Sequence, residues 1–93
     1  MNNKKLIKAR RSIDIVDKKI FNLVKKRTRI VKYMLSLKKQ KKDIVDHKRI
    51  NIILKKIRSQ SIKNKMDPKI TNRIWKSMIW SYVEYQRKNF KKK

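Results

Sequence analysis

The chain contains no glycine and only one proline, Pro68, and this constrains its fold more than any other feature. Tight hairpin turns and glycine-rich phosphate-binding loops need backbone conformations that residues other than glycine avoid. Ninety-three residues are enough for one small domain. We therefore predict an all-α chain that forms a single domain over residues 1–93.

Three helices are predicted from the positions of breakers and caps. The first spans about 4–39, a stretch without a breaker, and would be roughly 50 Å long at 1.5 Å per residue. The second covers about 46–64 and starts at an aspartate that can cap free N–H groups. The third covers about 68–90, because Asp67 followed by Pro68 is a strong start signal. In a monomer, the two shorter helices could not cover the apolar side chains of the long first helix. We therefore expect a symmetric dimer.

A seam along the first helix mixes apolar and charged side chains at helical spacing. Its members are Leu6, Arg10, Ile13, Asp17, Ile20, Val24, Arg27, Val31, Met34 and Lys38. An unpaired cation inside a protein costs several kcal/mol, so the seam cations either face a small polyanion or extend to water. Because 31 of the 93 residues are Lys or Arg, three cations in the seam agree with composition alone, and both interpretations stay open.

The formal net charge of +25 is typical of proteins that bind nucleic acid or anionic membranes. Lys greatly outnumbers Arg, however, and Arg is the residue that makes bidentate contacts to phosphates and bases. The lysines are also spread over all segments rather than collected in one basic block. We interpret them mainly as solvated helix faces and expect no nucleic-acid partner, with a basic helical nucleic-acid-binding dimer as the alternative from another class.

Features of secretion and membrane insertion are missing from the sequence. There is no cysteine, so neither a disulfide framework nor a thiolate metal site is expected. The N-terminal residues lack the apolar stretch of a signal peptide, and no apolar run approaches the length of a membrane span. We expect a cytoplasmic protein with no membrane partner and no metal.

The order and spacing of several residues resemble the all-helical chorismate mutases of the bacterial type, chorismate mutase type II. The resemblance implies an intertwined helical homodimer of three-helix protomers, in which each of two active sites uses mainly one chain plus an arginine of the other. It covers nearly the whole chain. The pattern is Arg10-x2-Ile13-x3-Asp17-x9-Arg27-x10-Lys38, then Asp46-x2-Arg49, then Asp67-Pro68 and Gln86.

The resemblance implies roles for the residues that bind the substrate, a small dianion. Arg10 matches the arginine that crosses into the partner's site, and Arg27 matches the one that grips a substrate carboxylate from within. Arg49 matches a second-helix arginine near the ring end of the substrate. Asp46 matches the turn where the chain approaches the substrate, although it could equally be only a helix cap.

Lys38 and Gln86 match the residues that donate to the ether oxygen whose bond to carbon breaks. Conversion of chorismate to prephenate is an intramolecular pericyclic rearrangement, so it needs no nucleophile, metal or organic cofactor. The protein must hold the flexible dianion folded and stabilise negative charge on that oxygen. Donors aimed at it act like an oxyanion hole, with a contribution of about 3 kcal/mol each. Together with Arg27, these two residues form the expected catalytic set.

Two positions depart from the usual mutase pattern. Ile50 stands where these mutases usually carry a glutamate after the second-helix arginine, and Tyr82 stands where many carry a small residue four before the glutamine. At both positions the chain resembles the isochorismate pyruvate lyases, which use the same fold to form salicylate and pyruvate. We include Tyr82 among the substrate-binding residues. The expected function is chorismate mutase in Phe and Tyr biosynthesis, with isochorismate pyruvate lyase as the alternative.

Overall fold

The computed structural model describes residues 3–92, and this part of the chain contains helices and no strand. None of the helices there is long and apolar enough to cross a membrane. The prediction of an all-α chain with three α-helices is confirmed for the described residues. In order, the elements are α1 (Asn3–Leu37), a short 3₁₀ helix (Lys41–Ile44), α2 (His47–Lys63) and α3 (Pro68–Asn89).

The chain divides into two compact units, one ending at Tyr33 and the other beginning at Met34. The first unit is the greater part of α1. The second contains the last turn of α1, the 3₁₀ helix, α2 and α3. That residues 1–93 form a single domain therefore stays a prediction.

Helix α1 has no buried residue along its length. Large apolar side chains of this helix face solvent, and Ile13, Phe21 and Leu23 are 59%, 67% and 66% exposed. Two of its hydroxyl groups bond within the helix: Ser12 Oγ donates to the Lys8 carbonyl at 3.3 Å, and Thr28 Oγ1 donates to the Val24 carbonyl at 2.8 Å. Burying an aliphatic or aromatic side chain fully would contribute about 1.5–3 kcal/mol of stability. The exposed apolar side chains of α1 therefore contribute only a part of this free energy.

The core of the second unit is small and lies along one face of α3. Ile79 and Val83 are one turn apart on that face, and Val83 is only 3% exposed. Ile44 of the 3₁₀ helix is also buried, and both α2 and the 3₁₀ helix pack against α3. Gln86 continues the buried face by a further turn and is 6% exposed. The same face that forms the core thus carries a polar side chain into the interior.

The two predicted N-caps are confirmed. Asp46 precedes α2, and its Oδ1 accepts a hydrogen bond from the Arg49 N–H at 3.0 Å. Asp67 precedes α3, and its Oδ1 accepts from the Lys69 N–H at 2.9 Å, with Pro68 at the first helical position. Each carboxylate satisfies one N–H group that the helix itself leaves without a partner.

Helix α2 ends in a Schellman motif that turns the chain toward α3. The Met66 N–H donates to the Ser61 carbonyl at 2.8 Å, and the Lys65 N–H donates to the Ile62 carbonyl at 3.1 Å. This geometry requires a left-handed residue, and Lys65 supplies it with φ of 57°. Glycine usually occupies such a position, so a lysine there stores backbone strain.

Two buried hydroxyl groups connect α2 to α3. Ser61 Oγ lies 2.7 Å from Thr71 Oγ1 and also donates to the Ile57 carbonyl at 2.6 Å. Thr71 Oγ1 also lies within hydrogen-bonding distance of the Pro68 carbonyl, at 3.3 Å, and either hydroxyl can donate in the contact between the two side chains. The buried oxygens are therefore satisfied where the helices meet.

Candidate active site

Lys38 and Gln86 are joined directly, although 48 positions separate them in the sequence. Lys38 Nζ donates to Gln86 Oε1 at 2.6 Å. Lys38 lies one residue beyond the end of α1, so the expectation that the helix continues to about residue 39 is corrected. Its backbone N–H donates to the Leu35 carbonyl at 3.1 Å, a tighter turn than the α-helix makes. The lysine-rich run that follows disfavours a longer helix, because like charges three and four residues apart repel.

The amide of Gln86 is held at both ends. Its Oε1 accepts from Lys38, while its Nε2 donates to the Tyr82 carbonyl at 3.2 Å. An ammonium group has only donors, so the atom facing Lys38 must be the amide oxygen, and this fixes the orientation of the side chain. Nε2 carries a second N–H, and the ammonium carries further N–H bonds. The ammonium and the amide therefore meet at the end of the core face of α3, and each carries N–H bonds beyond those in these two hydrogen bonds.

Burial lowers the pKa of Lys38 below its ordinary value of 10.5, and two carboxylates act in the opposite direction. The Asp43 and Asp46 carboxylates both favour the charged ammonium and raise its pKa. Asp46 was expected at this site, but Asp43 was missed. The signal available in the sequence was a lone acidic residue at the end of the lysine-rich run that follows Lys38.

The remaining candidates of the second unit lie at the start of α2 and on α3. Asp46 caps α2 through its bond to the Arg49 N–H, so the cap interpretation holds, and its charge also acts on Lys38. Arg49 is exposed in the first turn of α2, and Ile50 beside it is half-buried. Tyr82 is half-buried one turn before Gln86 and provides the carbonyl that its amide contacts.

Arg10 and Arg27 both belong to the first unit and lie on α1. Arg10 is exposed, whereas Arg27 is half-buried. They are 17 positions apart on a continuous helix, which corresponds to about 25 Å along its axis. The structure therefore does not bring these two arginines of one chain together.

Among residues 3–92, no group of three or more His, Cys, Asp or Glu side chains could hold a metal ion. The chemistry available at the Lys38–Gln86 pair consists of hydrogen-bond donation and positive charge. Such a pair can bind an anionic or ether oxygen and stabilise negative charge that develops on it.

Comparison with known proteins identifies the family. The family model described as chorismate mutase type II matches residues 9–87. No significant match was found among curated proteins or among solved structures. The matched range begins one residue before Arg10 and ends one residue after Gln86, so it includes every candidate residue described above. With most of its length covered by that match, the chain belongs to the chorismate mutase type II family, a family of all-helical enzymes.

Proposed function

We propose that this protein is a chorismate mutase that converts chorismate to prephenate for the synthesis of phenylalanine and tyrosine. The observation that carries the proposal is the 2.6 Å hydrogen bond between Lys38 Nζ and Gln86 Oε1. In a chain of this family, it supports a site in which an ether oxygen would accept from Lys38 and from the Gln86 amide. Membership of the family supports a chorismate mutase type of activity.

The proposed mechanism needs no proton transfer. The ether C–O bond breaks while a new C–C bond forms within the same molecule, and the stretching C–O bond leads, so negative charge grows on the oxygen. Lys38 and the second N–H of Gln86 Nε2 donate to that oxygen, and their contribution increases toward the transition state. The contact between Lys38 and Gln86 in the free protein orients the amide beforehand, which reduces reorganisation during the reaction.

The arginines would hold the two carboxylates of the substrate. Guanidinium groups make paired hydrogen bonds to carboxylates, which restricts a flexible dianion to a reactive, folded conformation. Arg27 would bind one carboxylate, and Arg10 of the partner chain would complete the site. Arg49 and Asp46 would lie toward the ring end of the substrate, as the family resemblance implies.

Two observations support a homodimer with Arg10 acting in trans. Helix α1 leaves its apolar side chains exposed, and a second copy of the same helix is the simplest surface to cover them. The separation of about 25 Å along α1 also prevents one small ligand from contacting Arg10 and Arg27 of the same helix. Both arginines can serve one site only if they come from different chains.

The alternative function is isochorismate pyruvate lyase, and Ile50 and Tyr82 favour it. A half-buried isoleucine beside Arg49 cannot accept a hydrogen bond from a ring hydroxyl, as a glutamate there would. The two substrates differ in where that hydroxyl is attached to the ring. We place the mutase first because chorismate is the precursor of two amino acids, whereas the lyase branch is narrower.

Incubation of the purified protein with each substrate in turn separates the two enzymes. Prephenate from chorismate supports the mutase, and salicylate with pyruvate from isochorismate supports the lyase. Ile50→Glu sharpens the comparison, because restoring a hydroxyl acceptor should raise kcat/KM for chorismate in a mutase and lower salicylate formation in a lyase. Lys56→Glu is the control, because it introduces the same side chain at an exposed position of the same helix, away from Arg49. It should change neither kcat/KM for chorismate nor the formation of salicylate.

The net charge of +25 is the observation that favours a nucleic-acid-binding dimer instead. A thermal melt with a dicarboxylate ether that mimics the transition state distinguishes the two, because a ligand that binds only the folded form raises the midpoint. We expect a clear increase with the mimic. No increase, together with tight and salt-sensitive DNA binding, would contradict the enzyme proposal.

A further inference from the structure

The segment between Lys38 and α2 is closed by Asp43. The Gln40 N–H donates to Asp43 Oδ2 at 3.2 Å, and the Asp43 N–H donates back to the Gln40 carbonyl at 3.0 Å. These two bonds tie the start and the end of the turn that contains the 3₁₀ helix. The conformation of the chain immediately after Lys38 therefore depends on the Asp43 side chain.

The next residue fastens this turn to the helix that carries Gln86. Ile44 is 5% exposed, and the 3₁₀ helix that it ends packs against α3. Asp43 is thus held between a buried anchor on one side and the bond to Gln40 on the other. A carboxylate fixed in this way acts on the Lys38 ammonium and raises its pKa.

The negative charge of Asp43 is opposite in sign to the charges of its neighbours in the sequence. It follows a run in which Lys39, Lys41 and Lys42 are all cationic, and these repel one another and the Lys38 ammonium. The carboxylates of Asp43 and Asp46 raise the pKa of the Lys38 ammonium, and the neutral amide of Gln86 accepts a hydrogen bond from it. Asp46 is also the cap of α2, whereas Asp43 belongs to the turn itself.

We propose that Asp43 is a positioning residue that keeps Lys38 charged and directed at Gln86, by closing the turn and by supplying a compensating carboxylate within it. The inference rests on the proposed function, because the charge of Lys38 matters for catalysis only if it stabilises an ether oxygen. Asp43 is none of the residues on which the resemblance to the family depends. It acts through Lys38 and does not itself contact the substrate.

Three variants separate the two effects of Asp43. Asp43→Asn keeps an oxygen that can accept from the Gln40 N–H but removes the charge, and Asp43→Ala removes both. Glu84→Gln is the matched control, because it makes the same charge change on an exposed residue of α3. Each variant is compared with the parent protein by a thermal melt and by the pH dependence of kcat/KM.

We expect the alkaline limb of kcat/KM to move to lower pH in Asp43→Asn. Without the carboxylate, burial is opposed less strongly and Lys38 loses its proton earlier as the pH rises. The ratio of variant to parent activity should therefore fall progressively along that limb. Because Asp43 is exposed, the difference should shrink with added salt. Asp43→Ala should show the same shift and also melt at a lower temperature, whereas Glu84→Gln should show no shift.

A second measurement does not require any activity. In the full-length protein labelled with ¹³C-lysine, the Lys38 resonance is identified by its loss in Lys38→Gln, and its titration midpoint is read by NMR. A lower midpoint in Asp43→Asn than in the parent supports the proposal for Asp43. If the protein shows that lower midpoint but converts neither substrate, only the proposed function fails. An unchanged midpoint in Asp43→Asn, or an equal decrease in Glu84→Gln, would overturn it.

Discussion

Lys38 Nζ lies 2.6 Å from Gln86 Oε1, and this hydrogen bond links the residue after α1 to the buried face of α3. It fixes which end of the Gln86 amide faces the cation and which end faces the Tyr82 carbonyl. A glutamine held in this way directs its amide oxygen at the ammonium and keeps Nε2, with its second N–H, on the side of the Tyr82 carbonyl. The consequences of that arrangement can be measured.

The first prediction concerns the charge at position 86. In Gln86→Glu an ionised carboxylate would face the oxygen on which charge develops, whereas a protonated one could still donate. We expect this variant to lose most activity at neutral pH and to recover part of it under mildly acidic conditions in which it remains folded. The loss at neutral pH should appear in kcat as well as in kcat/KM, because the contact strengthens in the transition state.

Gln86→Leu is the control for this experiment. It has no proton to regain, so its activity should stay low across the same pH range. Removing one donor from an oxyanion site typically lowers kcat about 10²–10³-fold, and a loss of that size is expected for Gln86→Leu. If the pH profile of Gln86→Glu parallels that of the parent, Gln86 only packs on α3.

The second prediction tests whether Arg10 acts in trans. Arg10→Ala and Arg27→Ala should each be nearly inactive as homodimers. When the two are unfolded together and refolded, each mixed dimer has one site with Arg27 of one chain and Arg10 of the other. Random pairing makes about half of the dimers mixed, so roughly a quarter of the parent activity should return. A mixture that stays inactive despite verified mixed dimers would show that the two arginines do not belong to different chains of one site.

The third prediction concerns the exposed apolar seam of α1. Ile20 is 52% exposed, and in the proposed dimer it would be covered by the partner chain. Ile20→Asp should therefore dissociate the dimer at micromolar concentration and abolish activity, because a carboxylate in an apolar interface is costly to desolvate. Sedimentation velocity measures the change.

Asn22→Asp is the matched control for Ile20→Asp. It introduces the same side chain in the same turn, but two residues along a helix correspond to about 200° around its axis, away from the seam. We expect Asn22→Asp to sediment as the parent dimer. A folded, monodisperse parent monomer at micromolar concentration would remove the shared-site proposal altogether.

The fourth prediction concerns the left-handed residue after α2. Lys65 has φ of 57°, a conformation that a side chain with a Cβ disfavours by about 1–2 kcal/mol. Lys65→Gly should raise the free energy of unfolding by about 1 kcal/mol and the melting temperature by about 4–8 °C. Lys56→Gly, the same change inside α2, should instead lower stability by about 0.5–1 kcal/mol. Equal effects of the two substitutions would mean that the backbone at Lys65 is not strained.

Features that depend on residues near one another in the chain could be predicted from the sequence. The absence of glycine indicated an all-α chain, and Asp46 and Asp67 with Pro68 marked two helix starts where the structure has them. Caps and helical periodicity involve residues two to four positions apart, so their chemistry is present in any short stretch of sequence. The spacing of Arg10, Arg27, Lys38, Asp46, Arg49 and Gln86 likewise identified the family that the comparison supports.

Tertiary structure decided which of these residues meet. Spacing along the chain did not reveal that Lys38 lies beyond the end of α1, that its ammonium contacts Gln86, or that Asp43 closes the turn between them. These contacts exist because Ile44 and the 3₁₀ helix pack against α3, which brings residues 48 positions apart within hydrogen-bonding distance. Burial then lowers the pKa of Lys38 and the neighbouring carboxylates oppose it, effects that depend on distance in space rather than on order in the sequence.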